Sequence, residues 1–279
     1  MKVRFHEWAG TTVLALAMVS FAPVPAAAQR GPKPPEGPAP KLNGKPDFSG
    51  LWQRPYVPDM SVTSRNGDQV ADPSLPDAKP VAGQAERKGP PGPPPKELPF
   101  TAEGKRVWES YDPAKGDYTG SCLPFGLIRS MNSPDPIQVM QNDHYFALLY
   151  EQNTWFKVFH IDGKPHRDDV ATWFGDSTGR WDGDTLVVDT INFNGKTRLD
   201  TIGHPHSDKL HTVERFSRPD LGHIRYEITI DDPAYYTKPW KNNRTFTLRP
   251  DWEIMEYSCE ENNKDFLEGH IKGGLNPEK

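Results

Sequence analysis

Short runs of β-branched and aromatic residues, separated by turn residues, dominate this chain from about residue 120 onward. The clearest run is 178–190, where Asp182 and Gly183 form a pair that favours a tight hairpin turn, because its central residues need positive φ. The other runs lie at 137–140, 144–151, 155–161, 213–218, 223–230, 244–249 and 253–259. About eight or nine short strands joined mostly by tight turns predict an all-β fold.

Strands that are joined by hairpins run antiparallel, and a meander that closes on itself has no exposed sheet edge. Such a barrel can also leave room inside for one small ligand. We therefore predict an antiparallel, lipocalin-like (calycin-type) β-barrel over residues 100–270, with a two-sheet sandwich as the alternative. At most one short helix is expected, at 100–111, with Thr101 as its N-cap and Pro113 after its end.

The N-terminal part differs in composition from the predicted barrel. Residues 1–28 resemble a secretion signal, because Lys2 and Arg4 precede a short apolar core at 11–22 and three alanines follow at 26–28. We predict a cleaved signal peptide and a periplasmic or secreted protein, with an uncleaved anchor as the alternative. Residues 29–99 are rich in proline and predict a largely extended or disordered arm, in which the island 46–53 could add an edge strand.

Charge and cysteine content restrict the partners and the compartment. The chain has a net charge of −5, and it has no cluster of Lys and Arg of the kind that nucleic-acid binding needs. We therefore expect no nucleic-acid partner, and no membrane insertion after signal cleavage. Cys122 and Cys259 are the only 2 cysteines. In an oxidising compartment an even count favours a disulfide between them, with two buried free thiols as the alternative.

The densest group of titratable residues is the segment 203–215, GHPHSDKLHTVER. It holds His204, His206 and His211, and Glu214 follows closely. Imidazole exchanges protons near neutral pH and is also a common metal ligand. Two positions apart, His204 and His206 would face the same side of an extended strand, although Pro205 between them excludes a central one.

Three interpretations of this segment remain open from the sequence. With His211 or Glu214 as a third ligand, His204 and His206 could hold zinc or another divalent metal. Without a metal, one of the histidines could act as a general base oriented by a carboxylate. In the third interpretation, the segment is a polar loop at the barrel mouth whose imidazoles bind backbone groups. We predict no cofactor, with a divalent metal as the alternative.

A second group of candidates lies at the ends of other predicted strands. Glu151 ends one strand, and a carboxylate that enters an aromatic barrel would have a raised pKa suited to acid–base work. The alternative is a solvated strand end. Aromatic side chains, with one lysine among them, suit stacking on a flat apolar ligand. The predicted substrate-binding residues are Tyr150, Trp155, Trp173, Trp181, Tyr236, Lys238 and Trp240.

These candidates favour an exported enzyme that acts on a small molecule. Proton transfer alone can drive dehydration or retro-aldol cleavage, and a buried histidine with a carboxylate is sufficient for it. We predict a cofactor-independent lyase or isomerase that acts on a small apolar or aromatic substrate inside the barrel. The alternatives are a periplasmic ligand-binding protein without activity, and a divalent-metal hydrolase that uses His204 and His206.

Five phrases of the chain resemble a family of exported bacterial proteins to which no activity is assigned. They are SCLPFG at 121–126, GRWDGDTLVVDT at 179–190, GHPHS at 203–207, YTKPW at 236–240 and EYSCEENN at 256–263. The likeness extends from about residue 46 to residue 265. It implies a secreted single-domain protein whose motif phrases contain His204, His206 and both cysteines, and it implies no reaction.

Overall fold

A computed structural model describes residues 33–61, 98–113, 117–167, 170–261 and 263. The predicted signal peptide and most of the proline-rich arm lie outside these residues. From Pro34 onward the described residues belong to one compact unit. Among the residues described, no helix has both the length and the apolar character that crossing a membrane requires.

Nine strands close into a barrel, which confirms the predicted all-β barrel in its coarse form. The order around the barrel is β10, β11, β3, β4, β5, β6, β7, β8 and β9, and β9 pairs with β10 to close it. The strands are β3 (Gly50–Gln53), β4 (Ile137–Gln141), β5 (Tyr145–Tyr150), β6 (Phe156–His160), β7 (Asp176–Asp182), β8 (Thr185–Ile191), β9 (His211–Ser217), β10 (His223–Asp231) and β11 (Trp240–Leu248). A separate hairpin of β1 (Lys41–Leu42) and β2 (Lys45–Pro46) precedes them.

The prediction of a wholly antiparallel barrel is wrong at one junction. Strands β6 and β7 run parallel and share a single residue pair, His160 with Thr178. The adjoining β5–β6 and β7–β8 pairs are antiparallel, with five and seven residue pairs respectively. The physical reason is the connection over residues 161–175, which crosses over instead of turning back tightly, so that β7 enters in the same direction as β6.

The island at 46–53 has a larger part in the barrel than we predicted. Its strand β3 pairs with β11 on one side and with β4 on the other, so it is a closing strand and not an edge strand. Phe48 and Trp52 have no solvent exposure, and Leu51 has 5%. The barrel therefore takes one strand from the segment that we predicted to be an arm.

The predicted helix is confirmed as α1 (Ala102–Glu109). The Thr101 side chain caps it by accepting a hydrogen bond from the Gly104 N–H at 3.0 Å. Glycine is unusual inside a helix, but a Cβ at position 104 would lie 2.1 Å from the Tyr235 carbonyl oxygen. Gly104 therefore lets α1 pack directly against the backbone of the β10–β11 connection.

The prediction of at most one helix is wrong, because a second α-helix, α2 (Leu127–Asn132), precedes β4. All six of its residues are buried, so its sequence lacks the alternation of apolar and polar faces that marks a surface helix. The Met131 carbonyl accepts a hydrogen bond from Arg244 on β11 at 2.9 Å. Two 3₁₀ turns, Tyr118–Ser121 and Gln152–Thr154, also lie among the described residues.

The predicted disulfide between Cys122 and Cys259 is confirmed, with Cα atoms 5.5 Å apart. The run at 253–259, however, is an irregular segment after β11 and not a strand, and most of its residues are exposed. Besides the disulfide, the N–H of Met255 donates to the Glu151 carboxylate at 3.0 Å. This segment is therefore fastened across the chain by a covalent bond and side-chain contacts instead of a strand ladder.

Candidate functional site

The segment 203–215 does not form one site. Its four predicted catalytic side chains enter separate surroundings: His204 meets Asp200, His206 meets Thr197, His211 meets Asp189, and Glu214 lies inside the barrel. Within this stretch only Pro205 forms an isolated bridge before β9 begins at His211. No regular strand therefore holds the first two histidines on a common side.

His204 forms a buried ion pair with Asp200. Its Nδ1 lies 2.6 Å from Asp200 Oδ2 and 3.9 Å from Asp59 Oδ1. His204 has 1% exposure and Asp200 has none. Burial alone would lower the pKa of His204, but the Asp200 carboxylate outweighs it and raises the pKa above its ordinary value. Asp200 is therefore placed as the counterion of the imidazole whenever His204 is protonated.

Asp59, Asp200 and His204 are also the described residues that come closest to a metal-binding group, with potential ligand atoms within 4.8 Å of one another. This set differs from the predicted one, because it contains neither His206, His211 nor Glu214. Both Asp200 oxygens already accept backbone hydrogen bonds, from His204 at 3.1 Å and from Met60 at 2.8 Å. The geometry is that of a hydrogen-bonded pair in which the Asp200 carboxylate also binds two backbone N–H groups.

Aromatic rings surround this ion pair. The rings of Trp108 and Phe100 lie 5.0 and 5.8 Å from the His204 ring. Phe100 also stacks on Tyr236 at 5.3 Å, and the Tyr236 hydroxyl donates to the Pro205 carbonyl at 2.9 Å. Tyr236, one of the predicted substrate-binding residues, is therefore a buried contact that holds the histidine segment in place.

His206 is buried in a neutral, hydrogen-bonded setting. Its Nδ1 lies 3.0 Å from the Ser207 carbonyl, so this nitrogen carries the hydrogen, and Nε2 accepts from the Thr197 hydroxyl. Burial lowers the pKa of His206 to about 4. This arrangement matches the third sequence interpretation, in which an imidazole binds backbone groups.

His211 faces the outside of the barrel. Its Nε2 lies 2.8 Å from Asp189 Oδ2, and the other Asp189 oxygen lies 2.9 Å from His166 Nε2. His166 in turn contacts Asp176 through Nδ1 at 3.1 Å. The hydrogen bond to Asp189 raises the pKa of His211. A chain of alternating carboxylates and imidazoles therefore runs over the outer face of β7, β8 and β9.

Glu214 points into the barrel from β9. It has 1% exposure, and its Oε2 lies 3.3 Å from Lys157 Nζ on β6. The Tyr226 hydroxyl on β10 donates to Oε1 at 2.9 Å. Burial, reinforced by the Glu214 carboxylate, raises the pKa of Tyr226 well above its ordinary value, so the phenol remains a donor.

Lys157 completes this interior group. We call Lys157 and Glu214 together the barrel pair. Its Nζ lies 3.5 Å from the Thr190 hydroxyl and 5.3 Å from the centre of the Phe159 ring. Thr190 contacts the Ser177 hydroxyl at 2.7 Å. Burial lowers the pKa of Lys157, although Glu214 opposes that shift. The barrel pair therefore joins a buried amine and a buried carboxylate to hydroxyl groups on β7, β8 and β10.

A cavity of about 220 Å³ lies at the β6–β7 junction, where the two strands share only one residue pair. We call it the junction cavity. Lys157 forms part of its wall, together with Ser177 and Asp176 from β7. The remaining wall residues are Tyr145, Val158, Phe159, His160, Arg167 and Gly175. The weakest junction of the barrel therefore places a small cavity against the buried lysine.

Two larger cavities contain neither Lys157 nor Glu214. One, of about 490 Å³, is lined mainly by outward-facing residues of β9, β10 and β11, among them Arg215 and Glu227. The other, of about 320 Å³, lies beside α2 and is lined in part by Arg129 and Gln152. His204 is in the wall of none of these three cavities.

The remaining predicted residues do not gather around one ligand site. Glu151 lies at the end of β5 and binds the Met255 N–H, so it does not enter the barrel as one interpretation required. Tyr150 is buried under Arg54, and Trp155 lies near Phe174. The others are dispersed: Trp181 stacks on Phe48, Trp240 packs against Tyr236, Trp173 is half-buried, and Lys238 is exposed.

Sequence reasoning missed Lys157 and Tyr226, although Lys157 left a signal. In the run 155–161, WFKVFHI, alternate positions put Lys157 on the same strand face as Trp155 and Phe159. A lysine on the more apolar face of a strand indicates either an error of register or a buried functional amine. Tyr226 left no comparable signal, because an aromatic residue on an inward face is ordinary core.

Comparisons with known proteins add no family assignment. No protein-family model matches the chain, and neither the curated proteins nor the solved structures contain a match. The resemblance to exported bacterial proteins therefore stays a prediction that depends on the five sequence phrases.

Proposed function

We propose that this protein is a cofactor-independent lyase or isomerase that moves protons on a small apolar or aromatic molecule at the barrel pair. The observation that carries the proposal is the contact between Lys157 and Glu214 inside the barrel, beside the junction cavity. Burying two opposite charges is costly, and hydrophobic residues of similar volume are often as stable or more so. A buried pair of which one member, Lys157, lines a cavity is therefore better explained by chemistry than by stability.

Each residue of the group has a role that its surroundings support. We assign Glu214 as the general base, because its carboxylate contacts Lys157 of the cavity wall and a carboxylate near a substrate can remove a proton from carbon. Tyr226 donates a hydrogen bond to Glu214 and fixes its orientation. Lys157 carries the positive charge that would stabilise an oxygen anion as it develops, which is the general requirement of such a step.

The walls of the junction cavity support a small and partly apolar substrate. Tyr145, Val158 and Phe159 supply apolar surface, whereas Ser177 and Asp176 supply polar atoms. Its volume of about 220 Å³ lies below the range of roughly 300–1,000 Å³ that holds drug-sized ligands. We retain the lipocalin-like interpretation only in this functional sense, namely that a cavity in the barrel wall receives one small molecule.

Export to an oxidising compartment is part of the proposal. The disulfide between Cys122 and Cys259 supports it, because such bonds persist mainly in secreted and periplasmic proteins. The metal-hydrolase alternative has less support, since the described residues do not bring His204 and His206 into one group of metal ligands.

Proton exchange in heavy water tests the proposed activity across a range of candidate substrates. The purified protein is incubated in D₂O with a panel of small ketones and β-hydroxy ketones, and NMR follows loss of the α-proton and cleavage or dehydration. At least one compound should exchange or react. Glu214→Gln should slow that reaction by roughly 10²–10⁴-fold, the usual contribution of a general base.

Glu227→Gln is the matched control. Glu227 lies on β10 with its carboxylate facing outward, 2.9 Å from Lys241, so the substitution leaves the interior unchanged. Circular dichroism establishes that both variants are folded. An E214Q variant that is folded and as active as the E227Q variant would refute the proposal. Tight binding of a panel compound without any exchange would instead favour the ligand-binding alternative.

A further inference from the structure

On strand β6, apolar side chains face outward and a charged side chain faces the interior. Phe156 and Val158 face outward with 65% and 53% exposure, whereas Lys157 between them faces the interior with 5%. Lysine normally extends its charged end to water even when its methylene chain is covered. Here the Nζ atom meets Glu214 and Thr190 instead of solvent. The fold therefore withdraws one amine from water and holds it in a fixed place.

The lysine that carries this amine also lines a cavity. Lys157 is in the wall of the junction cavity, and both strands of that weakly paired junction contribute to the wall. Burial also lowers the pKa of the lysine, which increases the fraction of neutral, nucleophilic amine. A buried lysine that lines a cavity and has an adjacent proton acceptor has the groups that covalent catalysis needs.

We propose that Lys157 is a nucleophile that forms a Schiff base with a small aldehyde or ketone bound in the junction cavity. The proposal deepens the function proposed above and depends on the same site. It names the substrate class as carbonyl compounds and assigns Lys157 a covalent role in place of a purely electrostatic one. Retro-aldol cleavage and dehydration both become easier through such an intermediate, because the iminium withdraws electrons from the neighbouring carbon.

The step balances with the groups that the barrel pair supplies. The Lys157 ammonium gives one proton to Glu214, and the neutral amine attacks the carbonyl carbon to form a carbinolamine. Glu214 returns its proton to the hydroxyl group, which leaves as water when the C–N double bond forms. The products are a protonated imine on Lys157, a Glu214 carboxylate and one water molecule, and no oxidant or reductant takes part.

Reductive trapping tests this inference. The native protein is treated at pH 7 with acetone or benzaldehyde and sodium cyanoborohydride, and peptide mass spectrometry then locates each modified lysine over time. We expect Lys157 to be modified several-fold faster than Lys241, because burial lowers its pKa and so raises the fraction of neutral amine. Lys241 is the matched comparison, since its side chain is 46% exposed and it also pairs with a glutamate.

A structural lysine would give the opposite ranking. If Lys157 only stabilised the fold, burial would protect it, and exposed Lys241 would be modified first; that result would overturn the inference. Lys157→Arg keeps the charge but cannot form an imine, so the folded variant should give no adduct at position 157 and should lose turnover. Lys241→Met should retain both the adduct at position 157 and the turnover.

The trapping and exchange experiments separate this inference from the proposed function. Glu214-dependent exchange without an adduct on Lys157 would overturn the Schiff base and leave the acid–base function intact. An adduct on Lys157 without any exchange or cleavage would support the nucleophile and count against the proposed lyase or isomerase activity.

Discussion

Two lysine–glutamate pairs on this barrel differ in their surroundings and hardly in their chemistry. The barrel pair, Lys157 with Glu214, has an Nζ to oxygen distance of 3.3 Å and side chains that are 4% and 1% exposed. The outer pair, Lys241 with Glu227, is closer at 2.9 Å, but its side chains are 46% and 33% exposed. The shorter distance belongs to the pair with the weaker claim to function.

The difference teaches that distance alone does not rank ion pairs. An exposed pair interacts through water and contributes about 0–1 kcal/mol, whereas a buried pair must offset a large desolvation penalty. The outer pair joins neighbouring strands, β10 and β11. The barrel pair spans from β6 to β9, and the Tyr226 hydroxyl supplies a further hydrogen bond to its carboxylate. The desolvation cost of the barrel pair, and the cavity beside it, distinguish it from the outer pair.

The largest expected effect comes from breaking the barrel pair on one side only. Glu214→Leu leaves Lys157 buried without its counterion, so the free energy of unfolding should fall by about 3–5 kcal/mol. The double substitution of Lys157→Met and Glu214→Leu replaces both charges by apolar groups and should restore most of that loss. Urea denaturation of the single and double variants measures both effects.

The outer pair supplies the control for this experiment. Glu227→Leu should change the free energy of unfolding by less than about 1 kcal/mol, and high salt should reduce even that effect, because exposed charges are screened. Equal losses for E214L and E227L would show that burial does not distinguish the two pairs. A double variant as unstable as E214L would indicate that Tyr226, whose hydroxyl loses its acceptor, dominates the loss.

Buried and outer histidines extend the comparison to pH, and His206 should have the larger effect. Its pKa of about 4 in the folded protein lies below the ordinary value of 6.5. As the pH falls, His206 therefore takes up a proton in the unfolded chain before it does so in the folded protein. The contribution of His206 to stability is present above pH 6.5 and is lost as the pH falls towards 4. The loss amounts to about 3 kcal/mol by linkage.

His206→Gln tests this expectation by comparison with the natural protein. Between pH 7 and pH 4 the free energy of unfolding should fall by about 3 kcal/mol less in the variant than in the natural protein. All other titrating groups contribute equally to both proteins. Urea denaturation at a series of pH values measures the difference. Parallel curves for the two proteins would mean that His206 titrates normally in the folded state.

The strand pattern of the fold could be predicted from the sequence, whereas its exceptions could not. Period-two runs and the Asp182–Gly183 turn are local signals, and β7 and β8 pair around that turn as expected. The parallel pairing of β6 and β7 depends on the long connection over residues 161–175, and no local signal in the sequence reveals in which direction β7 enters. Helix α2 was missed for a related reason, because a short helix that is buried on all sides has no amphipathic pattern.

The site could be predicted only in part, because its residues meet through the fold. Glu214 was a candidate from its place near the histidines, but its partner Lys157 is 57 positions away in the sequence. The histidines, in contrast, were expected together because of their spacing, and the irregular backbone around Pro205 separates them. Proximity in sequence pointed to Glu214, whereas its contact with Lys157 arises only in the fold.

The smallest expected effect concerns His211 on the outer face. Its hydrogen bond to Asp189 raises its pKa, so its contribution to stability is present below the ordinary value near 6.5 and is lost as pH rises through the raised value. The side chain is 39% exposed, and the contribution should therefore be under about 1 kcal/mol. The sign of this pH dependence is opposite to that of His206.

An NMR titration of the His211 ring in the natural protein and in Asp189→Asn measures this effect directly. The substitution should return the pKa of His211 towards its ordinary value, and stability should then change less between pH 5.5 and pH 8. Asp182→Asn is the control, since Asp182 pairs with Arg215 on the same outer face at 3.0 Å and does not contact His211. An equal shift in both variants would assign the raised pKa to the general charge of the outer face. A shift confined to D189N would show that one hydrogen bond sets it, even on a half-exposed surface.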